Sequence, residues 1–211
     1  MMLIVGICGS PKTENSHTEF LLRKALEAAA SELPEGSTKE AKTTLLKMSD
    51  YEIRHCTGCD ACVRRKHCPE SDQDDMPEIE DWLRKADGII VSAPSYFTAV
   101  PGVLKDLIDR SRPMKMNGNE LKDKLFGAIS YAGLRYGGQE HIIDYLNRFA
   151  LGHGMIVVGA VGNPVKDGFF GAGSLQTDEG KWRSAKDDEL AIQGSIKLGK
   201  RVAQLAKRMQ E

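Results

Sequence analysis

The feature that most constrains the fold is a regular alternation of short apolar runs with segments of helical periodicity. Apolar runs of strand length occur at residues 3–8, 43–48, 88–93, 125–131 and 155–161. Apolar residues spaced three and four apart predict helices at residues 18–32, 74–85, 101–110, 139–151 and 187–209. Strands that alternate with helices in this way build a parallel sheet with helices packed on both of its faces.

The alternation predicts the strand order as well as the fold class. Right-handed crossover connections leave few ways to arrange five parallel strands. The leading arrangement is the order 2-1-3-4-5, so we predict a flavodoxin-like, doubly wound α/β sheet. The chain has 211 residues, which suits a single domain spanning residues 1–211. We predict that residues 51–75, which are rich in cysteine, form a segment inserted after the second strand.

Two stretches depart from the alternating pattern. Pro34 and Gly36 are predicted to end the first helix. Residues 162–182 are rich in glycine and are predicted to be irregular. Because this stretch contains Phe169 and Phe170, it is interpreted either as a lid or subunit contact, or as a mobile surface loop.

Composition and charge argue against several classes of protein. The net charge of −1 disfavours a nucleic-acid binder, because such proteins usually carry a strong basic excess. No apolar run approaches the roughly 18 residues of a membrane helix. The N-terminal residues lack the basic region of a signal peptide. We therefore expect a cytoplasmic protein without nucleic-acid or membrane partners, a compartment in which disulfides are rare.

Four of the five cysteines are grouped in one short segment. Cys56, Cys59, Cys62 and Cys68 follow the spacing C-x2-C-x2-C-x5-C, and Pro69 comes next. Thiolates at three-residue intervals can wrap one face of a cubane while a fourth closes it, and a trailing Cys-Pro also occurs in bacterial ferredoxins. The spacing therefore predicts a [4Fe–4S] cluster. Zinc, which usually takes two more widely separated pairs, and disulfides or free thiols remain the alternatives.

Basic residues surround these cysteines. Arg54, Arg64, Arg65 and Lys66 would lower the pKa values of the thiols and offset the negative charge of a cluster. They would also steer an acidic redox partner, such as a ferredoxin-like electron donor. The alternative is an ordinary solvated basic surface that nearby carboxylates balance. Cys8 lies apart from this group, and we predict that it is a buried apolar residue.

Polar and glycine-rich loops follow predicted strands one, three and four, whose carboxyl ends meet where ligands bind in open parallel sheets. The first loop opens a helix with hydroxyls, basic side chains and free amides, which suits an anion such as phosphate. The alternative is a polar turn with an N-cap serine. The candidate residues of this loop are Ser10, Lys12, Ser16, His17 and Thr18.

The other two loops carry aromatic rings and glycines. The candidates after strand three are Pro94, Ser95, Tyr96 and Phe97. Their adjacent aromatic rings either stack on a flat ligand ring or cap the core. The candidates after strand four are Gly133, Arg135, Gly137 and Gly138. Glycines let backbone amides approach a ligand such as the pyrimidine edge of a flavin, and the alternative is a flexible loop.

Taken together, residues 9–12, 93–110 and 137–140 resemble the NADPH-dependent FMN reductase family, and the resemblance extends over about residues 1–160. It implies FMN as the cofactor, with its phosphate in the first loop, and a homodimer or homotetramer. The family usually has arginine where Lys12 stands and often threonine where His17 stands. Lysine keeps the charge of arginine but loses its paired hydrogen bonds.

With the cysteine motif included, the chain resembles the iron–sulfur flavoprotein branch of that family. The resemblance implies an oxidoreductase that transfers electrons between FMN and a [4Fe–4S] cluster, with NAD(P)H or a ferredoxin-like protein as the electron donor. No residue is predicted to act as a catalytic acid or base. The alternatives are an NAD(P)H-dependent FMN or quinone reductase with a structural zinc, and a redox-sensing binding module.

Overall fold

The computed structural model describes residues 2–32 and 41–210, which form a parallel sheet with helices on both faces. The strands are β1 (Met2–Cys8), β2 (Ala41–Lys47), β3 (Gly88–Pro94), β4 (Leu125–Ala132), β5 (Ile156–Val157) and β6 (Gly171–Ser174). Their order is β2-β1-β3-β4-β5, and β6 also pairs with β4. Every one of these pairings is parallel. The flavodoxin-like fold and the order 2-1-3-4-5 are therefore confirmed.

The helices fall where the apolar periodicity predicts them. They are α1 (His17–Ala30), α2 (Met76–Lys85), α3 (Gly102–Arg110), α4 (Arg112–Met116), α5 (Gln139–His153), α6 (Pro164–Asp167) and α7 (Glu189–Met209). The short helices α4 and α6 are additions to the prediction. The predicted role of Pro34 and Gly36 in ending the first helix lies outside the described residues. Among the described helices, none has the length and hydropathy to cross a membrane.

The central strand β1 shows how the sheet separates two cores. Leu3 and Val5 pack into the core under α2, α3 and α5, whereas Ile4 packs into the opposite core under α1 and α7. This follows from the strand geometry, because successive side chains point to opposite faces. Both faces of β1 are covered, so its sequence is a continuous apolar run rather than an alternation. Cys8 is 1% exposed, which confirms that it is a buried core residue.

The last part of the sheet differs from the prediction. The strand expected over residues 155–161 ends at Val157, and the stretch 162–182 expected to be irregular contains β6. The first residues of β4 pair with β5, and its last four pair with β6. A Cβ on Gly173 would lie 2.6 Å from both Tyr131 and Ala191, so glycine is needed where β6 passes between β4 and α7.

Two glycines inside α7 have a packing reason. A Cβ on Gly199 would lie 2.0 Å from the carbonyl oxygen of Ala25 in α1, and a Cβ on Gly194 would lie 2.6 Å from the carbonyl oxygen of Phe170. Glycine lowers helix propensity by about 1 kcal/mol relative to alanine. Here it allows α7 to approach α1 and the β6 region closely.

Candidate functional site

The carboxyl ends of β1, β3 and β4 place three predicted loops along one edge of the sheet. Cys8 is in register with Ser92, and Pro94 is in register with Tyr131. We call the loops after these strands loop 1 (9–16), loop 2 (95–101) and loop 3 (133–138). The sheet order therefore brings together all three segments that carry the predicted flavin residues.

Loop 1 holds a set of buried hydroxyl groups at the start of α1. Ser16 is the N-cap, and its Oγ accepts the backbone N–H of Glu19 at 3.3 Å. The hydroxyls of Ser16 and Thr18 lie 2.9 Å apart. Ser10 is also buried, and its Oγ accepts the backbone N–H of Lys12 at 3.2 Å. The predicted serines and threonine thus converge on the N-terminus of a 14-residue helix.

The electrostatics of loop 1 favour an anion. The first amides of a helix have no carbonyl partner within the helix, and the helix dipole places positive potential there. Lys12 is exposed and adds a full charge. The pKa of His17 is lowered, first by burial and then by the charge of Lys12. His17 therefore contributes a neutral imidazole near pH 7, and its ring lies 5.9 Å from that of Tyr131 in β4.

Loop 2 presents aromatic side chains on a strained turn. The backbones of Tyr96 and Ala99 pair with each other at 2.9 and 3.0 Å, and the two residues between them have positive φ angles, 51° for Phe97 and 64° for Thr98. Non-glycine residues seldom adopt this conformation, and it costs about 1–2 kcal/mol per residue. Phe97 is fully exposed, so it does not cap the core. An exposed phenylalanine on a strained turn favours a role in binding.

Loops 2 and 3 fit together through glycines. Gly138 has a φ angle of 89°, and a Cβ there would lie 3.1 Å from Oγ of Ser95 and 3.3 Å from Cα of Thr98. A Cβ on Gly137 would lie 2.6 Å from Cβ of Ala132. Ser95 also donates its hydroxyl to the carbonyl of Gly137. Gly138 is therefore required by the close packing of loops 2 and 3, and Gly137 by the tight turn of loop 3 against the end of β4.

Gln139, which the sequence analysis missed, organises loop 3. Its side-chain amide is buried and donates to the carbonyls of Leu134 at 2.9 Å and Arg135 at 3.2 Å, and to that of Gly173 in β6 at 3.1 Å. Its position directly after two glycines, at the first residue of α5, was a signal for such a role. Arg135 is half-exposed and forms an ion pair with Asp178 at 3.2 Å.

The cysteine segment (51–75) lies between β2 and α2 and winds around a cavity. All four motif cysteines line it together with Arg110 and Arg112. Each gap between successive cysteines contains one residue with a left-handed φ angle: 67° at Gly58, 55° at Asp60 and 55° at Arg65. The chain therefore turns in each gap, which brings the four thiols to a common space.

The four motif cysteines differ in exposure. Cys56 and Cys59 are exposed, whereas Cys62 and Cys68 are partly buried. Over residues 2–32 and 41–210, no three His, Cys, Asp or Glu side chains are grouped as a single metal ion would need them.

A buried ion pair fastens the cysteine segment to α3. The side chains of Arg110 and Asp74 are 1% and 0% exposed. Arg110 also donates to the carbonyl of Arg54 at 2.9 Å and to the hydroxyl of Ser71 at 3.0 Å. Asp74 accepts the backbone N–H groups of Arg54 and Met76 at 3.0 and 3.1 Å. Both ends of the segment are therefore held at one point on α3.

The charge state of this pair follows from its neighbours. Burial raises the pKa of Asp74, but hydrogen bonds from Arg110, Arg54 and Met76 outweigh it and leave the pKa below its ordinary value. The sequence analysis missed Arg110. The signal was its spacing, because Leu104, Leu107 and Arg110 form the buried stripe of α3. An arginine in an apolar helical stripe indicates a buried partner.

Weaker contacts hold the outer side of the segment. Arg112 pairs with Asp60 at 3.0 Å, and Arg64 donates to the carbonyl of Cys59 at 2.7 Å. His55 lies 2.7 Å from Asp106 of α3, and this contact raises the pKa of the imidazole. These groups are largely exposed, and exposed ion pairs contribute little to stability because water and salt screen them. The buried Arg110–Asp74 pair therefore dominates the attachment.

A larger cavity of about 540 Å³ opens beside loop 2, between α3 and α5. Thr98, Lys105, His141, Tyr145 and Arg148 are among its lining residues. It borders the predicted flavin loops only through residues 98–100 of loop 2. It is therefore distinct both from the anion site of loop 1 and from the cysteine cavity.

Comparisons with known proteins agree with this architecture. The sequence profile of a family described as NADPH-dependent FMN reductase matches residues 2–166. A protein named iron-sulfur flavoprotein from Archaeoglobus fulgidus is 39% identical over 206 residues, which cover 97% of this chain and 96% of that protein. A protein of the same name from Methanocaldococcus jannaschii is 37% identical and covers 98% of both chains.

Solved structures resemble the fold at lower identity. A flavodoxin, WrbA-like protein from Agrobacterium tumefaciens superposes with a TM-score of 0.59 at 18% identity, over 99% of both chains. The apo form of the NADH:FMN oxidoreductase EMOB superposes with a TM-score of 0.57 at 19% identity, over 100% of this chain and 89% of that one. At this level of identity the structures establish the shared fold.

Proposed function

Because the chain belongs to the NADPH-dependent FMN reductase family, we propose that it is an electron-transfer flavoprotein that holds FMN at loops 1–3 and a [4Fe–4S] cluster on the cysteine segment. Family membership makes it a flavin-dependent oxidoreductase. One observation supports the second centre above all others. Four cysteines with a compact cluster spacing line a single cavity on a flavodoxin-like fold.

The residues of the three loops fit FMN. Buried hydroxyls, free helix amides and Lys12 suit its phosphate. Where loops 2 and 3 meet, Gly138 has no space for a Cβ, so only backbone atoms of that residue are available to contact the ring. Bound FMN can accept one or two electrons and so join one-electron carriers to two-electron donors. The proposed phosphate residues are Ser10, Lys12, Ser16, His17 and Thr18. The proposed ring residues are Pro94, Ser95, Tyr96, Phe97, Gly133, Arg135, Gly137 and Gly138.

The cysteine segment fits an iron–sulfur cluster by its donor set. Four thiols line one cavity, and two arginines, Arg110 and Arg112, stand among its lining residues beside three carboxylates. Of the two, Arg110 is the buried one, and its guanidinium places N–H donors next to the thiols. A [4Fe–4S] cluster exchanges single electrons. The proposed ligands are Cys56, Cys59, Cys62 and Cys68.

The protein itself positions the two sites on one rigid element. Loop 2 leads into the start of α3, and the cysteine segment is fastened to Arg110 at the end of α3. Eight residue steps along a helix span about 12 Å. The buried Arg110–Asp74 pair and the packed core beneath α3 fix this separation within one chain. The residues of this chain would hold both groups and set their potentials through hydrogen bonds and nearby charges.

The decisive experiment is the composition of the purified protein. We would isolate it anaerobically and measure iron, acid-labile sulfide, zinc and released flavin on one sample. About four irons and four sulfides per chain together with FMN are expected. Zinc without sulfide in a yellow protein would instead indicate a reductase with a structural metal. A colourless protein that takes up no FMN would contradict the proposal.

A cysteine variant tests the location of the cluster. Cys59→Ser is expected to lose most of its iron and sulfide while keeping FMN, because the two sites share no residue. Cys8→Ser is the matched control, since Cys8 is buried in the core under α1 and α7. It is expected to retain iron. Full iron and sulfide content in Cys59→Ser would exclude this ligand set.

The electron donor and the assembly state belong to the same proposal. NAD(P)H or a ferredoxin-like protein is proposed as the donor, and a homodimer or homotetramer as the working form. The exposed rings of Phe97, Tyr136 and Phe169 support contact with a second subunit. Stopped-flow bleaching of the flavin with each donor tests the first point. Light scattering at several protein concentrations tests the second, and a monomer throughout would contradict it.

A further inference from the structure

Arg110 carries one buried N–H group that has no acceptor. A guanidinium has five N–H donors. Four of those in Arg110 have acceptors in Asp74, Ser71 and the carbonyl of Arg54, with Asp74 accepting two. Nε is buried and lacks any hydrogen-bond partner in the described part of the chain. Buried donors are usually paired, so an unpaired one on a charged group calls for a partner.

The surroundings of this N–H identify the missing acceptor. Arg110 lines the same cavity as the four motif cysteines. Ser71, whose hydroxyl accepts a hydrogen bond from Arg110 at 3.0 Å, donates its own backbone N–H to the carbonyl of Cys68 at 3.1 Å. Among the four motif cysteines, Cys68 is therefore the one tied through Ser71 to the guanidinium. Because Asp74 and Ser71 hold the other nitrogens, the guanidinium cannot turn Nε elsewhere without losing those bonds.

We propose that Nε–H of Arg110 donates a hydrogen bond to Sγ of Cys68 when that sulfur is bound to iron, and that this contact raises the reduction potential of the cluster. The inference rests on the proposed function, since it requires that the cluster bind. The physical reason is electrostatic. Reduction adds one negative charge to the cluster and its thiolates, so a fixed positive donor stabilises the reduced form more than the oxidised form.

The test compares two substitutions that both keep the positive charge. Arg110→Lys removes the planar donor set, whereas Arg112→Lys changes the other arginine of the cavity, which pairs with Asp60 on the exposed side. Each anaerobic holoprotein would be titrated with redox mediators while the reduced cluster is followed by electron paramagnetic resonance. Arg110→Lys is expected to shift the reduction equilibrium about tenfold towards the oxidised form, which is about 59 mV for one electron.

The controls separate a tuning role from a structural one. Iron and sulfide are measured in every variant, so that potentials are compared only between proteins that hold the full cluster, and the FMN potential serves as an internal reference. Arg112→Lys is expected to shift the cluster potential far less than Arg110→Lys. Equal potentials in Arg110→Lys and the unaltered protein would overturn the inference alone. Absence of iron and sulfide from the unaltered protein would overturn the proposed function and the inference with it.

A second measurement decides the matter if Arg110→Lys loses the cluster. Protein made with guanidino-¹⁵N arginine would be reduced and examined by pulsed electron paramagnetic resonance. A ¹⁵N coupling to the cluster is expected. It should persist in labelled proteins that carry lysine at the other nearby arginines, Arg54, Arg64, Arg65 and Arg112, which leaves Arg110 as its source. Absence of any ¹⁵N coupling would overturn the inference.

Discussion

The flavin loops and the cysteine segment are held in place by different physical means. Loops 1–3 continue directly from buried parallel strands, and backbone hydrogen bonds, such as those from Gly9 to Ser92 and from Ser95 to Tyr131, tie them to the sheet. In the cysteine segment, only Ile53 and Ala61 are buried as whole residues. It depends instead on one buried ion pair with α3 and a few exposed polar contacts. The sheet therefore holds loops 1–3 in place, whereas the cysteine segment relies mainly on a single buried anchor.

This contrast predicts the largest effect at the anchor. Asp74→Ala leaves the charge of Arg110 buried and unpaired, so unfolding free energy should fall by about 3–5 kcal/mol. Asp72→Ala is the control, because Asp72 is exposed and pairs only with His67, and its effect should stay within about 0.5 kcal/mol. Urea unfolding of both variants measures the difference. Similar stability of the two variants would remove the central role given to the buried pair.

The next largest effect concerns acid. His153 of α5 lies 2.9 Å from the hydroxyl of Ser111, the residue after Arg110, and burial lowers its pKa to about 4. Below about pH 6.5 this histidine binds a proton in the unfolded chain, whereas in the folded protein it binds one only near pH 4. The free energy of unfolding therefore decreases as the pH is lowered through this window. The loss between pH 7 and pH 5 should be about 2 kcal/mol.

Two variants identify the source of this acid sensitivity. His153→Gln should flatten most of the stability curve between pH 7 and pH 5, because the imidazole whose pKa burial lowers to about 4 is gone. His17→Gln should flatten it less, because burial lowers the pKa of His17 as well, but by less than that of His153. Asp74 contributes nothing to this window, because its lowered pKa lies below its ordinary value of 3.8 and its stabilisation is lost only at lower pH. An unchanged slope in His153→Gln would assign the sensitivity to another group.

A smaller effect is expected where the flavin loops meet. Gly138→Ala forces a side chain into a left-handed conformation next to Ser95 and Thr98, and should cost about 1–2 kcal/mol. Gly152→Ala, within α5 and with open space at its Cβ, should instead stabilise the protein by about 0.5–1 kcal/mol. Thermal unfolding measures both. A loss of stability in Gly152→Ala would show that α5 responds to substitution for another reason.

The smallest effect is expected at loop 1. Lys12→Ala should weaken FMN binding about fivefold, or about 1 kcal/mol, because an exposed lysine adds one screened charge to a site built mainly from helix amides and hydroxyls. The change should shrink in high salt. Lys24→Ala, on the exposed side of α1, should leave FMN affinity unchanged. Fluorescence titration of apoprotein measures both, and equal affinities would place the phosphate elsewhere.

The same contrast explains which parts of the molecule could be predicted. The strands and helices follow from local periodicity, and Cys56, Cys59, Cys62 and Cys68 are recognised because a short spacing confines them to one loop. Arg110 was missed because its partners, Asp74 and Ser71, lie 36 and 39 positions earlier in the chain. Gln139 was missed because one of its acceptors, Gly173, belongs to a strand that was predicted to be irregular.

The end of the sheet shows the limit of local patterns. The apolar run 155–161 predicts a full strand, yet only Ile156–Val157 pairs with β4, and β6 takes over as the neighbour of its carboxyl end. The segment Gly171–Ser174 contains no apolar run. It becomes a strand because its glycines allow it to fit between β4 and α7, and that requirement arises only when those elements are packed.

By itself, the sequence determined the parallel sheet, its strand order, the loops at its carboxyl edge and the grouping of four cysteines. These depend on contacts between residues near in the chain and on the handedness of crossovers, which L-amino acids impose. Only the tertiary structure decided that Phe97 faces solvent on a strained turn, that β6 completes the sheet, and that the buried end of α3 holds the cysteine segment. Those features depend on which surfaces from distant parts of the chain pack together. Only after they have packed does burial strengthen an ion pair or leave an N–H group without an acceptor.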